Sequence, residues 1–356
     1  PSSAASDVYK RQGQNRLLQI DQNICEKMIE NFGRTQSGDT VQRVILTNGN
    51  LTAHVLNYGG ILQDLRLAGY APSLILGFDN IFAYETEGGY IGATVGRLAN
   101  RIANGHLSIQ GKEFQLDHNF RGRHTLHGGQ AGTGKQIWDI VEFHTDSVIF
   151  ALVLPDGHMG FPGRLQIELK WQLKSNDALS AQLRARTDAP TVCNLALHSY
   201  FNLTGRSDMH GHKLQVNANQ YLPVDKDLIP TGELLSVSET DFDFRLFTSL
   251  PFNQAMDYNF CLSAARQPIR KVAWLSAEEV GLTLELSTTE PGLQIYDGAN
   301  LSSCVKGLNG HVYGPFSGLA LEAQLWPDAP HHPHFPSALL LPDELYFQQT
   351  EFKIIR

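Results

Sequence analysis

Period-two alternation of apolar and polar residues is the feature that most constrains this chain. Beyond residue 33, stretches with this alternation follow one another and are separated by clusters of turn-forming residues. VQRVILTN and LTAHVLNY flank a turn at Asn48 and Gly49, and HLSI and KEFQL flank Gln110 and Gly111. Because successive side chains in a β-strand point to opposite faces, each of these pairs predicts a hairpin with one buried face.

The order of the patterned stretches predicts the fold class. Strand follows strand at short spacing, without the alternating helices that a parallel sheet would need, so we expect an all-β protein built as a large antiparallel β-sandwich. Residues 34–356 contain no linker and predict a single domain. Residues 17–33 have apolar residues at three- and four-residue steps and predict one short N-terminal helix. We expect residues 1–16 to be a tail that is disordered or was added by the expression vector.

Composition narrows the classes of partner. The 356 residues carry a formal net charge of −8, and nucleic-acid binding requires clustered Lys and Arg, so we expect no nucleic-acid partner. No run of about 18 apolar residues is present, so we expect no membrane span. Cys25, Cys193, Cys261 and Cys304 lie far apart without a CxxC pair, which predicts free thiols and a cytoplasmic location. We expect a monomer or a homodimer.

Three stretches carry polar residues suited to ligand binding or proton transfer. VGRLANRIANG contains Asn100 and Arg101, whose amide and guanidinium make directed hydrogen bonds to a polar ligand, although a solvated surface turn is the alternative. HTLHGG places His127 before two glycines, and CNLALHSYFNLTG contains His198. Histidine moves protons near neutral pH, but a lone histidine is more often structural.

Glu322 is the least expected residue in its surroundings. The segment GLALEAQLWPD places it in an apolar strand among Leu319, Leu321 and Ala323. A carboxylate is costly to bury unless it is paired or functional, and burial raises its pKa towards that of a useful base. A structural ion pair remains the alternative.

The segment WPDAPHHPHFPS raises the question of a metal site at His331, His332 and His334. Metal ligands must converge on one point and need supporting hydrogen bonds, whereas Pro330, Pro333 and Pro336 hold this backbone extended and separate neighbouring side chains. We therefore expect a rigid loop without a metal, which fixes the end of the strand that presents Glu322.

Taken together, the sequence resembles the aldose 1-epimerase (galactose mutarotase) family from about Phe32 to the C-terminus. The resemblance is carried, in the order of the family, by LTNGNLTAHVLNYGG, LGFDN, GRLANRIANG, LHGG with GKQIWD, NLALHSYFNLTG, YLPVDKDLIPTGE, FDFR, DYNFCL, GLQIYDGANL and LEAQLWPDAPHHPHFP.

This resemblance implies a galactose mutarotase-like supersandwich with a sugar cleft and neither a metal nor an organic cofactor. It implies an isomerase that interconverts the α and β anomers of free hexoses such as D-galactose and D-glucose. In that activity Glu322 corresponds to the general base and His198 to the general acid of ring opening, rotation about C1–C2 and reclosure. The positions that match substrate-binding residues of the family are Asn100, Arg101, His127, Asp257 and Gln294.

Some positions depart from the family pattern. Leu197 stands where a polar residue is usual, and Gly134 where an acidic one is common, which puts substrate preference in doubt more than reaction type.

A glycoside hydrolase is an alternative and would use two carboxylates, for which Glu322 and Asp257 are candidates. The others are a sugar-binding module without activity and a relative of hexose-6-phosphate epimerases, which would need a basic phosphate pocket.

Overall fold

The computed structural model describes residues 28–87, 89–252 and 255–356. Those residues form strands, one short α-helix and several single 3₁₀ turns. The strands are β1 (Ile29–Arg34), β2 (Thr40–Asn48), β3 (Leu51–Leu56), β4 (Leu62–Leu67), β5 (Thr94–Val95), β6 (Arg101–Ile102), β7 (His106–Ile109), β8 (Lys112–Gln115), β9 (Thr125–Leu126), β10 (Asp139–His144), β11 (Ser147–Leu154), β12 (Leu165–Lys174), β13 (Ala178–Thr187), β14 (Thr191–Val192), β15 (Ala196–Leu197), β16 (Tyr200–Phe201), β17 (His212–Val216), β18 (Gln220–Leu222), β19 (Leu235–Ser236), β20 (Thr248–Ser249), β21 (Asp257–Cys261), β22 (Arg270–Ala277), β23 (Leu282–Thr288), β24 (Gly292–Tyr296), β25 (Leu319–Gln324), β26 (Leu339–Leu340) and β27 (Tyr346–Ile355). The α-helix is α1 (Ile81–Thr86), and the 3₁₀ turns span Ala103–Gly105, Thr133–Lys135, His158–Gly160, Glu278–Val280 and Ala329–His331.

Three antiparallel sheets make up the body of the molecule. The largest has nine strands in the order β10-β11-β12-β13-β27-β23-β22-β17-β20. A six-stranded sheet runs β16-β25-β24-β21-β18-β19, and a four-stranded sheet runs β1-β2-β3-β4. Four two-stranded pairs, β14-β26, β15-β5, β6-β9 and β7-β8, complete the set. The predicted antiparallel all-β architecture is confirmed.

Alternation along the strands creates the core between these sheets. Strand β12 alternates strictly between buried and half-buried positions along its ten residues. Its apolar residues, among them Leu169 and Trp171, join one large hydrophobic cluster that also includes Val44 of β2, Leu321 of β25 and Phe352 of β27. Burial of this continuous apolar surface is the main stabilising contribution to the fold.

The hairpins predicted around residues 48–49 and 110–111 are confirmed. Strand β2 is joined to β3 by a tight turn, and β7 is joined to β8 by Gln110 and Gly111. Gln110 and Gly111 both have a positive φ, 50° and 77°. A two-residue type I′ hairpin turn requires a positive φ at both of its central residues.

The helix predicted for residues 17–33 extends too far, because Met28 is helical but the residues that follow it are not. Ile29–Arg34 is strand β1 and pairs with β2 in an antiparallel register that is interrupted by one bulge. The pattern was misleading because a half-buried edge strand with a bulge also places apolar residues at irregular steps. Residues 17–27, and the tail predicted for residues 1–16, lie outside the described residues.

Among the described residues, one short α-helix has a side-chain cap at its N-terminus. Helix α1 begins after Asn80, whose side chain accepts a hydrogen bond from the backbone N–H of Ala83 at 2.9 Å and so caps the helix. Within the described part of the chain, no helix is long and apolar enough to span a membrane.

Candidate active site

Strand β25 carries Glu322 through the middle of the molecule. All six of its residues are buried, because Leu319, Leu321 and Ala323 face the large core while Glu322 faces the opposite side of the six-stranded sheet. Only 2 % of Glu322 is exposed. Burial raises the pKa of this carboxyl well above its usual range, and the nearby charge of Asp257 adds to the effect while Arg101 opposes it.

His198 lies in the short break between β15 and β16 and faces Glu322. Its backbone N–H donates to the carbonyl of Ala93 at 2.8 Å, and its carbonyl accepts from the N–H of Gly92 at 2.9 Å, so the backbone is fixed on both sides. The ring Nε2 lies 3.5 Å from Oε1 of Glu322. Burial lowers the pKa of His198 to about 4. Burial disfavours the charged form of both groups, so it favours a carboxylic acid beside a neutral imidazole.

A second cluster of polar groups is centred on Asp257, at the start of β21. One of its oxygens accepts a hydrogen bond from Nη2 of Arg101 at 3.1 Å, and the other accepts one from Nε2 of Gln294 at 2.6 Å. Gln294 lies on β24, directly opposite Glu322 of β25 in the sheet register. The carboxylate of Asp257 therefore positions an arginine and an amide beside the buried Glu322.

Asn100 orients its neighbour. Its side-chain oxygen accepts hydrogen bonds from the backbone N–H of Arg101 at 2.9 Å and from Nη1 of Arg101 at 3.3 Å. Asn100 has a φ of 62°, in the left-handed region that asparagine tolerates better than most residues. The alternative of a solvated surface turn is excluded, because Asn100 and Arg101 are both buried.

His127 completes the cluster, with its ring centroid 5.2 Å from that of His198. Its Nδ1 accepts a hydrogen bond from the backbone N–H of Asn100 at 3.1 Å. Burial lowers the pKa of His127 well below its usual value, and the charge on Arg101 acts in the same direction, so the ring is neutral. A neutral ring whose Nδ1 is an acceptor keeps its proton on Nε2 and presents that N–H as a donor.

Within the described ranges, the candidate metal ligands are His127, His198 and Glu322. Donor atoms of His127, His198 and Glu322 lie within 4.8 Å of one another. A ligating histidine normally donates its second N–H to an acceptor, whereas Nδ1 of His127 receives a hydrogen bond and leaves the proton on the nitrogen that would face the metal. The cluster therefore fits a polar ligand with hydroxyl groups better than a resident metal ion.

The histidines of the proline-rich loop do not join that group. Nδ1 of His331 lies 2.7 Å from an oxygen of Asp328, and Nε2 of His334 lies 2.8 Å from the carbonyl of Gly232. The other oxygen of Asp328 lies 3.6 Å from His332, and its first oxygen accepts the backbone N–H of Ala103 at 3.0 Å. The loop follows β25, and the hydrogen bond from Ala103 to Asp328 anchors it to the segment that follows Arg101.

The structure thus brings all seven predicted site residues together. Glu322 and His198 form the central pair, and the other five surround it: Asn100, Arg101, His127, Asp257 and Gln294. The placement of Asn100 differs from the prediction. Its side-chain amide was expected to bind a polar ligand, but in the structure the oxygen of that amide accepts hydrogen bonds from Arg101.

Three aromatic residues near the site were not predicted. The ring of Tyr90 lies 4.7 Å from that of His127, and the ring of Tyr200 lies 5.0 Å from that of His198, measured between centroids. The ring of Phe120 lies against Arg101. Tyr200 was detectable, because it lies two residues after His198 and period two places both on one face. Tyr90 and Phe120 reach the site through contacts distant in sequence, which no local pattern reveals.

Comparison with known proteins agrees with this geometry. The family model described as aldose 1-epimerase matches residues 42–353. Galactose mutarotase of Mus musculus is 39 % identical over 334 residues, which cover 90 % of this chain and 96 % of the mouse protein. Aldose 1-epimerase of Escherichia coli is 34 % identical over 324 residues, which cover 86 % of this chain and 93 % of the bacterial protein.

Solved structures show the same fold. The GalM/aldose epimerase homologue from C. elegans superposes with a TM-score of 0.82 at 30 % identity, covering 88 % of this chain and 98 % of the other. Galactose 1-epimerase from Lactobacillus acidophilus gives a TM-score of 0.79 at 28 % identity, covering 92 % and 98 %. With a family match over most of its length and these relatives, the chain belongs to the aldose 1-epimerase family, the isomerases that interconvert the anomers of aldoses.

Proposed function

We propose that Glu322 and His198 carry out this anomer interconversion by general acid and base catalysis on free hexoses, with D-galactose and D-glucose as substrates. Glu322 takes the proton from the C1 hydroxyl as the C1–O5 bond breaks, and the bond's electron pair goes to O5. His198 gives O5 its proton. Rotation about C1–C2 presents the other face of the aldehyde, and the reverse transfers close the ring to the opposite anomer. The observation that carries this proposal is the buried pair at 3.5 Å.

In this proposal the pair shares one proton, which allows it to supply both an acid and a base. The state with a carboxylate and an imidazolium contains as many protons as the state with a carboxylic acid and a neutral imidazole. Burial favours the neutral state in the free enzyme. The sugar hydroxyls that enter the site hydrogen-bond to the charged groups and favour the state in which Glu322 is the base and His198 the acid. Since reclosure returns both protons, the cycle requires no proton from solvent.

The surrounding donors orient the sugar. Arg101 is fixed by Asp257 and keeps further N–H groups, and His127, whose ring lies beside that of His198, keeps an Nε2–H to donate. The amide of Gln294 is held by Asp257 on the neighbouring strand. Donors held in fixed positions hydrogen-bond to hydroxyls with little loss of freedom, which supports substrate binding by Arg101, His127 and Gln294. Asn100 acts in this proposal by orienting Arg101.

A glycoside hydrolase mechanism has less support. It would need a second carboxyl to act as acid or nucleophile beside Glu322. The candidate is Asp257, but both of its oxygens already accept hydrogen bonds, one from Arg101 and one from Gln294.

Polarimetry on freshly dissolved α-D-galactose and α-D-glucose tests the proposal. We expect the protein to accelerate the approach to the anomeric equilibrium, without hydrolysing aryl galactosides or glucosides. Hexose 6-phosphates in a parallel series test the phosphate alternative. Hydrolysis of an aryl glycoside without any effect on the free sugars would favour the hydrolase, and no effect on any of these compounds would favour a binding module.

Two wider proposals concern the molecule as a whole. We propose that residues 34–356 act as one catalytic domain, because the site draws on strands from β6 to β25 and one core cluster extends from β2 to β27.

We also propose a cytoplasmic enzyme of hexose metabolism, active as a monomer or a homodimer. The cysteines of the described ranges, Cys193, Cys261 and Cys304, are free thiols, which is usual in a reducing compartment.

A further inference from the structure

Arg101 is held in place from more than one direction. In the plane of its guanidinium, Nη2 donates to Asp257 at 3.1 Å and Nη1 donates to Asn100 at 3.3 Å. From another residue, Phe120, comes a third contact: Cζ of Arg101 lies over the aromatic ring, 4.8 Å from its centroid. The guanidinium is therefore held by two hydrogen-bond acceptors and by the face of an aromatic ring.

The contact between Arg101 and Phe120 lies in a desolvated place. Arg101 is only 8 % exposed, whereas Phe120 is half-buried. Attraction between a cation and an aromatic face grows as water is removed from around it. The contact is therefore strong enough to influence where the guanidinium lies, while Phe120 itself is not part of the main core.

A second arginine covers Phe120 as well. Cζ of Arg121 lies 5.3 Å from the same ring centroid. Nη1 of Arg121 donates at 2.6 Å both to Asp227 and to the carbonyl of Lys226. The carboxylate of Asp227 offsets the charge of Arg121, so Phe120 contacts two guanidinium groups, of which Arg101 is the one hydrogen-bonded to Asp257 of the site.

The backbone fixes Phe120 relative to Arg101. The N–H of Phe120 donates to the carbonyl of His124 at 3.0 Å, and the N–H of His124 donates back at 2.9 Å. This narrow bridge leads into β9, where Leu126 pairs with Arg101 of β6. The aromatic ring and the arginine that it covers are therefore held by adjoining parts of one small backbone unit.

We propose that Phe120 is a positioning residue for sugar binding, which holds the guanidinium of Arg101 in the orientation that its hydroxyl partners require. The inference rests on the proposed binding role of Arg101. A guanidinium that is already oriented loses less freedom when the sugar binds, so Phe120 acts on KM more than on kcat.

The test compares Phe120→Leu, which keeps an apolar side chain but removes the aromatic face, with Phe120→Tyr, which keeps the face. For Phe120→Leu we expect kcat/KM for D-galactose to fall about 2- to 30-fold, mostly through KM. Phe120→Tyr should remain within about twofold of wild type. A loss in Phe120→Leu without recovery in Phe120→Tyr, or a loss confined to kcat, would overturn the proposal.

A double-mutant cycle shows whether Phe120 acts through Arg101. Glutamine has no positive charge for the aromatic face to attract, so Phe120→Leu should cost little when it is added to Arg101→Gln. An equal loss in both backgrounds would contradict the inference. If Phe120→Leu does not fold, Arg121→Gln serves as a second variant at an exposed position, and it should raise KM by a smaller factor because Phe120 then loses its contact with the second guanidinium.

Phe347→Leu is the matched control. Phe347 lies 5.7 Å from Cζ of Arg184 on the large sheet, so the variant removes the same kind of contact away from the site. Its kcat and KM should equal those of wild type. Failure of the inference is distinguishable from failure of the proposed function: if wild type does not accelerate mutarotation, the function is wrong, whereas an active wild type with an unchanged Phe120→Leu refutes only the role of Phe120.

Discussion

Nε2 of His198 lies 3.5 Å from Oε1 of Glu322, and both side chains are buried. The strand that follows His198, β16, pairs directly with β25, which carries Glu322, so that Tyr200 lies opposite Ala320. On the other side of His198, β15 pairs with β5. The distance between the two proton-transfer groups is thus set by the pairing of backbones and leaves little freedom to the side chains.

Removal of either proton-transfer group should abolish most of the activity. Glu322→Gln keeps the shape but cannot accept a proton, and His198→Asn removes the acid, so we expect kcat to fall by about 10²- to 10⁴-fold in each variant. Polarimetry on α-D-galactose gives the rates, and circular dichroism checks the fold. Glu278→Gln, at an exposed ion pair with Lys213, is the control and should behave as wild type. A rate near that of wild type in either site variant would refute the assigned roles.

The rate should depend on pH as a bell-shaped curve. Below the pKa of His198, about 4, both members of the pair are protonated and no base remains, so the rate falls as the pH drops through that value. Above the raised pKa of Glu322 the pair loses its only proton and no acid remains, so the rate falls again. Measurement of kcat/KM across the pH range checks both limbs. An acid limb near the ordinary histidine pKa of about 6.5 would contradict this account.

Asp257→Asn should weaken the binding of sugar. The amide cannot accept from Arg101 and Gln294 without placing its own N–H₂ near one of them, and hydrogen bonds to charged groups contribute about 1.5–3 kcal/mol. We expect kcat/KM to fall by about 10- to 100-fold. Asp243→Asn is matched to it, since Asp243 also binds an arginine, Arg245, but at an exposed position, and that variant should keep full activity. Equal kinetics in the two variants would argue against a role for Asp257.

Gly128→Ala should destabilise the protein strongly. Gly128 has a φ of 81°, and a Cβ there would lie 2.0 Å from the carbonyl oxygen of Gly96. Gly122 has a φ of 64° with no atom within 4 Å of the same position, so Gly122→Ala carries only the conformational cost of about 1–2 kcal/mol. We expect Gly128→Ala to lose more than about 3 kcal/mol of unfolding free energy in urea titrations. Similar losses in the two variants would show that the backbone around Gly96 adapts.

Chelation should leave the activity unchanged. Nδ1 of His127 accepts a hydrogen bond, so its Nε2 keeps the proton that a metal ligand would have to give up. Dialysis against EDTA, followed by polarimetry in metal-free buffer, should therefore give the rate of the untreated protein. A loss of rate that Zn²⁺ or another divalent ion restores would show that His127, His198 and Glu322 bind a metal after all.

The antiparallel fold was predictable because it depends on local alternation. Each run of period two specifies which residues face the core, and turn residues such as Gln110 and Gly111 specify where the chain reverses. The helix predicted up to residue 33 failed where β1 begins, since a bulged edge strand owes its structure to its partner β2. Among the site residues, the unusual surroundings of Glu322 could be recognised in the sequence alone.

What the sequence by itself determined is the set of strands, the polar residues that interrupt them and the resemblance that relates those residues to an isomerase. The tertiary structure alone decided how they meet. Strand pairing places Gln294 beside Glu322 and brings His198 to 3.5 Å, and the loop contacts place Phe120 over Arg101. The physical reason is that alternation specifies only the face on which a side chain lies, whereas distances between strands remote in sequence depend on sheet register and on the packing of the whole core.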